Sequence, residues 1–391
     1  MFRKRVDSTD APDVCHSTRV DGRYASPFWA TYHQLRNLEP ELGFDPQESA
    51  DLAGWRDQVR GKLRDLLCFP AGYTQPAYRC LWSQRRPGYE LQKWEAYPEP
   101  YALSYCYLLI PDGVSEQSPA PAVLCAPGGN GSKELLAGEP ELNGRPTTNR
   151  FPERNRQAYH YVKAGYIALA VGGGNSSETS SDELPPPESR DALWNQTWLG
   201  CVGERNPVVY KYQMLQWLKT LPFVDRSRLA VSAHSMSTTH VMMAAVLDPA
   251  VGAVVYNDYV CNWRKRQVAT VLPSLGLAHL LPGMARYFDY ADLIAAMAPR
   301  PFLVTEGGRT EDLQLIKEAY RLAGAESSFQ FHYYPKYDSP EKRHYDGVPL
   351  PESMTIPQFL EHANIDAANH HFKPDLAIPW LNQVFNHGGR A

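Results

Sequence analysis

The sequence lacks any long apolar run. No segment of the 391 residues approaches the roughly 18 consecutive apolar residues of a membrane-spanning helix. The first ten residues are charged and no apolar stretch follows them, so no secretory signal peptide is visible. We therefore expect a cytoplasmic protein.

The chain also lacks a large net charge of either sign. A net charge of -4 and a pI near 6.3 give no reason to expect nucleic acid or a membrane surface as partner. The seven cysteines are odd in number, scattered, and without a C-x-x-C pair. This distribution predicts buried free thiols rather than a disulfide framework and favours a reducing compartment.

Signatures of cofactor and metal sites are missing as well. The glycine-rich run that begins at Ala126 has no G-K-[ST] at the required spacing, and the glycines at 172–174 lack the G-x-G-x-x-G form. His234 and His240 are six residues apart, while His370 and His371 are adjacent, so no H-E-x-x-H spacing occurs. We expect neither a cofactor nor a metal, and we expect His240 to be a packed histidine.

What the sequence does contain is an alternation of strand-like and helix-like segments, within an ordinary hydrophobic content of 43%. Such alternation predicts an α/β fold with a mainly parallel sheet and helices on both faces. The predicted strands are 78–83, 90–95, 101–110, 122–126, 166–171, 229–232, 251–256, 301–305 and 329–334, and the predicted helices are 51–67, 155–164, 206–220, 236–247, 312–323 and 374–385.

The pattern divides the chain into an N-terminal extension over residues 1–100, packed on the core, and a catalytic domain over residues 101–391. Residues 1–50 read as polar and irregular. Three stretches interrupt the alternation, near 175–204, 261–287 and 336–367. Long irregular insertions of this kind are usually lids or binding loops.

The most informative segment is Arg228-Leu-Ala-Val-Ser-Ala-His-Ser-Met-Ser237. An apolar strand ends in small residues, presents Ser235, and passes directly into a helix, which is the layout of a nucleophile elbow. The usual pattern is G-x-S-x-G, and Ala233 and Ser237 replace its glycines. Strand and helix approach closely around such a serine, so small side chains are required at both positions.

A serine nucleophile needs a base and an acid that orients the base. In the order typical of this layout the acid follows a later strand and the histidine comes last. His370 is the first candidate base, because a histidine two residues before an aromatic is the usual local form, and His371 is the second. For the acid we favour Glu306, at the end of the 301–305 strand, and keep Asp312 and Asp258 as alternatives.

An oxyanion hole needs two backbone N–H groups directed at the developing charge. We expect one from Met236, which follows the nucleophile. The other should come from the turn after the 122–126 strand, at Gly128 or Gly129.

With these motifs the chain resembles the α/β-hydrolase superfamily, and within it the dienelactone hydrolase and acetyl xylan esterase-like branch. The resemblance runs from about Trp55 to Leu381. Its most specific pieces are the Val-Asp-x-x-Arg run at 224–228, before the elbow, and the Ala-Pro-Arg-Pro run at 298–301, before the acid strand. The chain departs from the family at the oxyanion turn, where His-Gly is Pro127-Gly128, and at both elbow glycines.

The resemblance implies an α/β-hydrolase fold and cofactor-free carbohydrate esterase chemistry on small acyl groups, commonly on sugars or plant polysaccharide. We therefore expect a serine carboxylesterase whose partner is a small-molecule or carbohydrate ester, and a homo-oligomer stays open. A peptidase or dienelactone-type hydrolase of the same fold is one alternative, although residues 1–120 are too short for the propeller of prolyl-oligopeptidase-type enzymes. A catalytically silent hydrolase-fold binding protein is another.

Overall fold

The computed structural model describes residues 27–47, 51–69, 77–100, 102–129, 131–143, 149–172, 195–200, 203, 205–270, 281–351 and 353–388. Its strands are β1 (Ala77–Arg86), β2 (Tyr89–Tyr97), β3 (Ser104–Pro111), β4 (Ala120–Ala126), β5 (Ile167–Val171), β6 (Val224–His234), β7 (Ala253–Asn257), β8 (Phe302–Val304) and β9 (Phe329–Phe331).

Within these residues the nine strands form one sheet in the order β1-β2-β3-β5-β4-β6-β7-β8-β9. The pairs β1–β2, β2–β3 and β3–β5 are antiparallel, and every pairing from β5 through β4 to β9 is parallel. Strands β4, β5 and β7 are buried at every residue, as expected for parallel strands covered by helices on both faces. The predicted mainly parallel sheet is confirmed.

The helices are α1 (Pro27–Arg36), α2 (Leu52–Leu66), α3 (Lys133–Ala137), α4 (Pro152–Asn155), α5 (Gln157–Lys163), α6 (Arg205–Leu218), α7 (Ser237–Leu247), α8 (Trp263–Thr270), α9 (Tyr290–Ala295), α10 (Thr310–Leu322), α11 (Ile356–His362) and α12 (Pro374–Val384). Helices α2, α6, α7, α9 and α10 pack into the core on one face of the sheet. Helices α3, α5 and α12 pack into the core on the other face. The chain therefore has three layers, with α7 wholly buried at the centre.

The two runs that carry the family resemblance, 224–228 and 298–301, each stabilise a connection next to the elbow. Asp225 accepts a hydrogen bond from Arg228 Nε at 2.6 Å, which fixes the entry into β6. Arg300 Nη1 donates to the carbonyls of Ala245 and Asp248 at 2.8 and 3.0 Å, so it ties the end of α7 to the start of β8. The first motif fixes the strand that enters the elbow, and the second fixes the end of the helix that leaves it.

Several predictions of local structure need correction. Residues 1–50 are not irregular throughout, because α1 occupies Pro27–Arg36. The predicted helix over 155–164 is observed as α5, which begins at Gln157, and the short helix α4 that ends at Asn155 was not predicted. Cys106, Cys125 and Cys261 are buried free thiols as predicted, whereas Cys68 and Cys80 are free but exposed.

Two of the three predicted insertions can be followed. Much of 261–287 and nearly all of 336–367 are described, and they pack on each other in a separate apolar cluster that includes Ala269, Tyr334 and Phe359. Most of 175–204 lies outside the described residues. Strands β1 and β2, which belong to the predicted extension, continue the same sheet as β3. A search of the described helices for one long and apolar enough to cross a membrane finds none.

Candidate active site

Ser235 occupies the tight turn between β6 and α7. Its φ of +56° is one that few residues other than glycine adopt, and such strain at a strand-to-helix turn is characteristic of a nucleophile elbow. The turn is held by the Ser235 N–H, which donates to the Asn257 carbonyl at 3.1 Å, and by the Ser235 carbonyl, which accepts from Thr238 N at 2.9 Å. Ala233 and Ser237 are almost completely buried, so both satisfy the requirement for small side chains.

The glycine-rich turn after β4 presses directly against this serine. A Cβ added to Gly128 would lie 2.9 Å from His234 Nδ1 and 3.0 Å from Ser235 Cβ. Nothing lies within 4 Å of the corresponding position on Gly129. Glycine is therefore required at 128 by close approach, which places the turn beside Ser235, while Met236 is the N-cap residue of α7.

The candidate base and acid are in contact. His370 Nδ1 lies 2.5 Å from Glu306 Oε2, and the Glu306 side chain is completely buried while that of His370 is 28% exposed. Glu306 follows β8 and His370 precedes α12, as the strand and helix pattern predicts. A carboxylate on Nδ1 leaves Nε2 of the imidazole to face a nucleophile, which is the arrangement of a general base.

The contact shifts the pKa values of His370 and Glu306 in opposite directions. Burial lowers the pKa of His370, but the hydrogen bond and the charge of Glu306 outweigh it and raise the pKa to about 8. Burial raises the pKa of Glu306, but the hydrogen bond and charge of His370, together with the charge of Lys373, lower it to about 2. Glu306 is therefore ionised over the whole working range, and His370 changes charge near neutrality.

His234 connects the elbow to this pair. Its ring centroid lies 4.4 Å from that of His370, with 35° between the ring planes. Burial, and secondarily the charge of His370, lowers the pKa of His234 to about 3, so it is a neutral ring packed on the candidate base. Since His234 directly precedes Ser235, this contact brings the serine turn and the Glu306–His370 pair together.

The other two candidate acids accept hydrogen bonds from backbone N–H groups, although Asp258 lies close enough to His370 for their charges to interact. Asp312 is buried in the first turn of α10, and its Oδ2 accepts from Asn262 N at 2.8 Å. Asp258 follows β7 and accepts from Tyr259 N at 2.8 Å. Burial raises the pKa of each to about 6, and the charge of His370 acts on Asp258 alone of the two. Of the three carboxylates, the one hydrogen bonded to His370 is Glu306.

The glycines after Glu306 explain why Glu306 and Asp312 lie in different surroundings. Gly307 and Gly308 have φ values of +64° and +140°, and a Cβ on Gly308 would lie 2.0 Å from the Val260 carbonyl oxygen. Val260 N donates to Gly307 O, and Arg309 N donates to Val260 O, so the loops after β7 and β8 pair with each other. The pairing turns the chain away immediately after Glu306 and carries Asp312 into α10.

Three further residues hold the histidine segment, and motif reasoning did not find them. Asn257 donates through Nδ2 to His371 O at 3.0 Å and accepts Lys373 N at 2.7 Å. Asn155 accepts Phe372 N at 2.8 Å. Lys373 Nζ donates to Glu306 Oε1 at 2.8 Å. Asn257 ends β7, Asn155 ends α4 and Lys373 directly precedes α12, and none of the three belongs to a motif. His371, the second candidate base, uses Nδ1 to contact its own neighbour's carbonyl at 2.9 Å.

The arrangement of the histidines also bears on metal binding. Among the described residues, His234, Glu306 and His370 form a group whose potential ligand atoms all lie within 4.8 Å of one another. Both oxygens of Glu306 already accept hydrogen bonds, from His370 and from Lys373. The group therefore has the geometry of a hydrogen-bonded acid–base pair. His240 is buried, with Nδ1 3.3 Å from Lys211 Nζ, as predicted for a packed histidine.

Comparison with known proteins identifies the family of the chain. A family model described as Abhydrolase family matches residues 7–383. The chain belongs to that family. The crystal structure of a Bacteroides fragilis protein, provisionally assigned as an acetyl xylan esterase, is 33% identical, with a TM-score of 0.85 over 94% of this chain and 97% of the other. The predicted α/β-hydrolase fold and acetyl xylan esterase-like branch are confirmed, and with them the prediction of an ester-hydrolase family.

Two solved structures of lower identity share the fold. A glucuronoyl esterase from Teredinibacter turnerae is 17% identical, with a TM-score of 0.51 over 82% of this chain and 91% of the other. A methylesterase is 14% identical, with a TM-score of 0.51 over 93% of this chain and 76% of the other. Comparison with curated proteins gives no match.

Proposed function

We propose that this hydrolase is a serine carboxylesterase that removes small acyl groups from carbohydrates. The observation that carries the proposal is the contact of His370 with the buried carboxylate of Glu306, where the His370 ring also packs on His234, the residue before a serine held at positive φ. Each of the three groups alone is common, but a strained elbow serine beside a carboxylate-oriented imidazole is the machinery of acyl transfer.

In the proposed reaction His370 removes the proton from Ser235 as the serine oxygen attacks the ester carbonyl. The N–H groups of Met236 and of the Gly128–Gly129 turn stabilise the tetrahedral oxyanion. His370 then passes its proton to the leaving alcohol, and an acyl-serine ester remains. Water, deprotonated by His370, attacks this ester, releases the acid and regenerates Ser235. Glu306 stays ionised and stabilises the imidazolium at each step.

The substrate class rests on the 33% identical relative, whose assignment as an acetyl xylan esterase is itself provisional. We therefore expect the acyl group to be acetyl and the alcohol to be a sugar hydroxyl. A panel of acetylated xylo-oligosaccharides, aryl acetates, longer-chain aryl esters and lactones tests this directly. Turnover of a lactone or a long-chain ester with a higher kcat/KM than any acetylated sugar would contradict the assignment.

The test of the reaction type is turnover of an aryl acetate by Ser235→Ala, with Ser327→Ala as the matched control. Ser327 is exposed, in a turn that precedes the edge strand β9. We expect Ser235→Ala to lose essentially all turnover and Ser327→Ala to keep it. Undiminished turnover in Ser235→Ala would exclude Ser235 as the nucleophile. If the wild type itself turns over no ester of the panel, the protein is a silent hydrolase-fold binding protein.

A further inference from the structure

The segment that carries His370 is held by an unusual number of side-chain contacts to its backbone. Lys373 Nζ donates to three acceptors, namely Glu306 Oε1 at 2.8 Å, Asn369 O at 2.7 Å and His371 O at 2.7 Å. The same ammonium group lies 5.3 Å from the ring centroid of Tyr334. One side chain thus spans from the backbone on either side of His370 to the carboxylate that His370 contacts.

We propose that Lys373 is a positioning residue that locks the acid and the base of this site in a single relative geometry. The inference rests on the proposed function, because it assigns a role in serving His370. Lys373 touches neither the serine nor a substrate position in the proposed reaction, and it acts through Glu306 and the backbone around His370.

The physical argument concerns rotation of the carboxylate. Glu306 contacts His370 through Oε2 alone, so its other oxygen must be fixed if the carboxylate is to keep one orientation. Oε1 receives Lys373 Nζ and, at 3.2 Å, the His371 N–H. A group whose supporting contacts are loose misplaces the reacting atoms, and a shift of about 1 Å can cost about 10²-fold in rate.

The second part of the argument concerns the loop. Without the ammonium group, the carbonyls of Asn369 and His371 lose their shared donor on both sides of His370. Asn257 still holds His371 O and Lys373 N, so the loop stays attached to β7. We therefore expect loss of Lys373 to disorder the orientation of the His370 ring more than the path of the backbone.

The experiment compares Lys373→Met with Lys219→Met in the full-length protein. Lys219 is a matched control, because its Nζ lies 2.6 Å from Asp248 with side-chain exposures of 20% and 6%, against 16% and 0% for Lys373 and Glu306. Steady-state kinetics on an aryl acetate separate kcat from KM. The most downfield imidazole proton resonance, assigned by its loss in His370→Asn, reports the His370–Glu306 hydrogen bond independently of turnover.

We expect Lys373→Met to lower kcat by about 10- to 100-fold with little change in KM, and to broaden or shift the downfield resonance. Lys219→Met should change neither. Lys373→Arg keeps the cation and should recover most of the lost kcat, whereas Lys373→Gln should not. If Lys373→Met fails to fold, the comparison of these two variants tests the proposal instead. Full kcat and an unchanged resonance in Lys373→Met would overturn the proposal. Equal losses in Lys219→Met would also do so, since they would indicate general destabilisation.

A failure of the proposed esterase activity is distinguishable from a failure of this inference. If the wild type hydrolyses no ester, the resonance still shows whether Lys373 fixes the His370–Glu306 hydrogen bond. If the wild type is active and Ser235→Ala is inactive, the kinetics of Lys373→Met test the inference alone.

Discussion

Gly128 and Ser235 lie so close that a methyl group on Gly128 would stand 3.0 Å from the Ser235 Cβ and 2.9 Å from His234 Nδ1. Contacts this short require a shift of one partner. Neither has much freedom, because Ser235 is held at φ +56° and His234 is the buried last residue of β6. The approach of the glycine turn to the elbow is therefore fixed by the absence of a side chain at 128.

Gly128→Ala should inactivate the enzyme without unfolding it. The added methyl group pushes the turn away from Ser235 and displaces the backbone N–H groups that the proposal places in the oxyanion hole. We expect a loss of about 10²- to 10³-fold in kcat and an overpacking cost of about 1–3 kcal/mol in the free energy of unfolding. Steady-state kinetics and urea unfolding measure the two effects.

The control for this variant is Gly61→Ala. Gly61 lies within α2, and nothing is within 4 Å of its added Cβ. Alanine there should raise the free energy of unfolding by about 0.5–1 kcal/mol and leave kcat unchanged. Gly129→Ala should be far milder than Gly128→Ala, since its Cβ also meets nothing within 4 Å. Equal kinetic losses at 128 and 129 would refute the steric argument.

The assignment of the acid predicts opposite outcomes for two carboxylates. Glu306→Gln should lower kcat by about 10³- to 10⁴-fold, because the amide cannot stabilise the His370 imidazolium as an ionised carboxylate does. Asp312→Asn should keep turnover of the wild-type order, since Asp312 contacts Asn262 N and not His370. A larger loss in Asp312→Asn than in Glu306→Gln would reverse the assignment.

Asp312 should affect stability in a pH-dependent manner. Burial raises its pKa from 3.8 to about 6 in the folded protein. A carboxyl group with a raised folded pKa contributes stability that is fully present below the unfolded pKa and is lost as the pH rises through the folded value. Asp312→Asn, which removes this titration, should therefore cost more free energy of unfolding at pH 4 than at pH 8. Denaturant unfolding of both proteins at the two pH values checks the sign.

The pH dependence of turnover should follow His370. The imidazole accepts a proton only when it is neutral, so kcat/KM should rise with pH and level off above the His370 pKa of about 8. Glu306→Gln removes the two largest contributions that raise the His370 pKa, the hydrogen bond and the charge of Glu306, and leaves the smaller one from Asp258 together with the burial that lowers it. The residual activity of that variant should therefore level off at lower pH. An inflection that does not move would separate the observed titration from His370.

Much of the fold could be predicted from the sequence because its signals are local. Short apolar runs such as 122–126 and 251–256 predict buried strands because they are too short for helices, and the order of the strands and helices then leaves few topologies. The same logic predicts that Ser235 follows β6, that Glu306 follows β8 and that His370 precedes α12, and the structure has these residues at those places. The helix at Pro27–Arg36 was missed because its sequence carries only a weak amphipathic pattern.

The parts of the site that could not be predicted depend on contacts across long stretches of chain. Asn257 and Lys373 are 116 residues apart, and Lys373 and Glu306 are 67 apart. A single lysine or asparagine has no local pattern that distinguishes such a contact from a solvated side chain. The sequence alone does not distinguish Glu306 from Asp312 as the acid either. Their different surroundings depend on the pairing of Val260 with the residues after Glu306, which is again a contact between distant parts of the chain.

The most direct test of the central claim is labelling of the folded protein with a fluorophosphonate, followed by mass-spectrometric mapping of the adduct. The account predicts one adduct, on Ser235, that forms more slowly as the pH falls below about 8 and is strongly suppressed in Glu306→Gln. An adduct on another residue would contradict it, as would labelling of Ser235 at an undiminished rate when Glu306 is replaced.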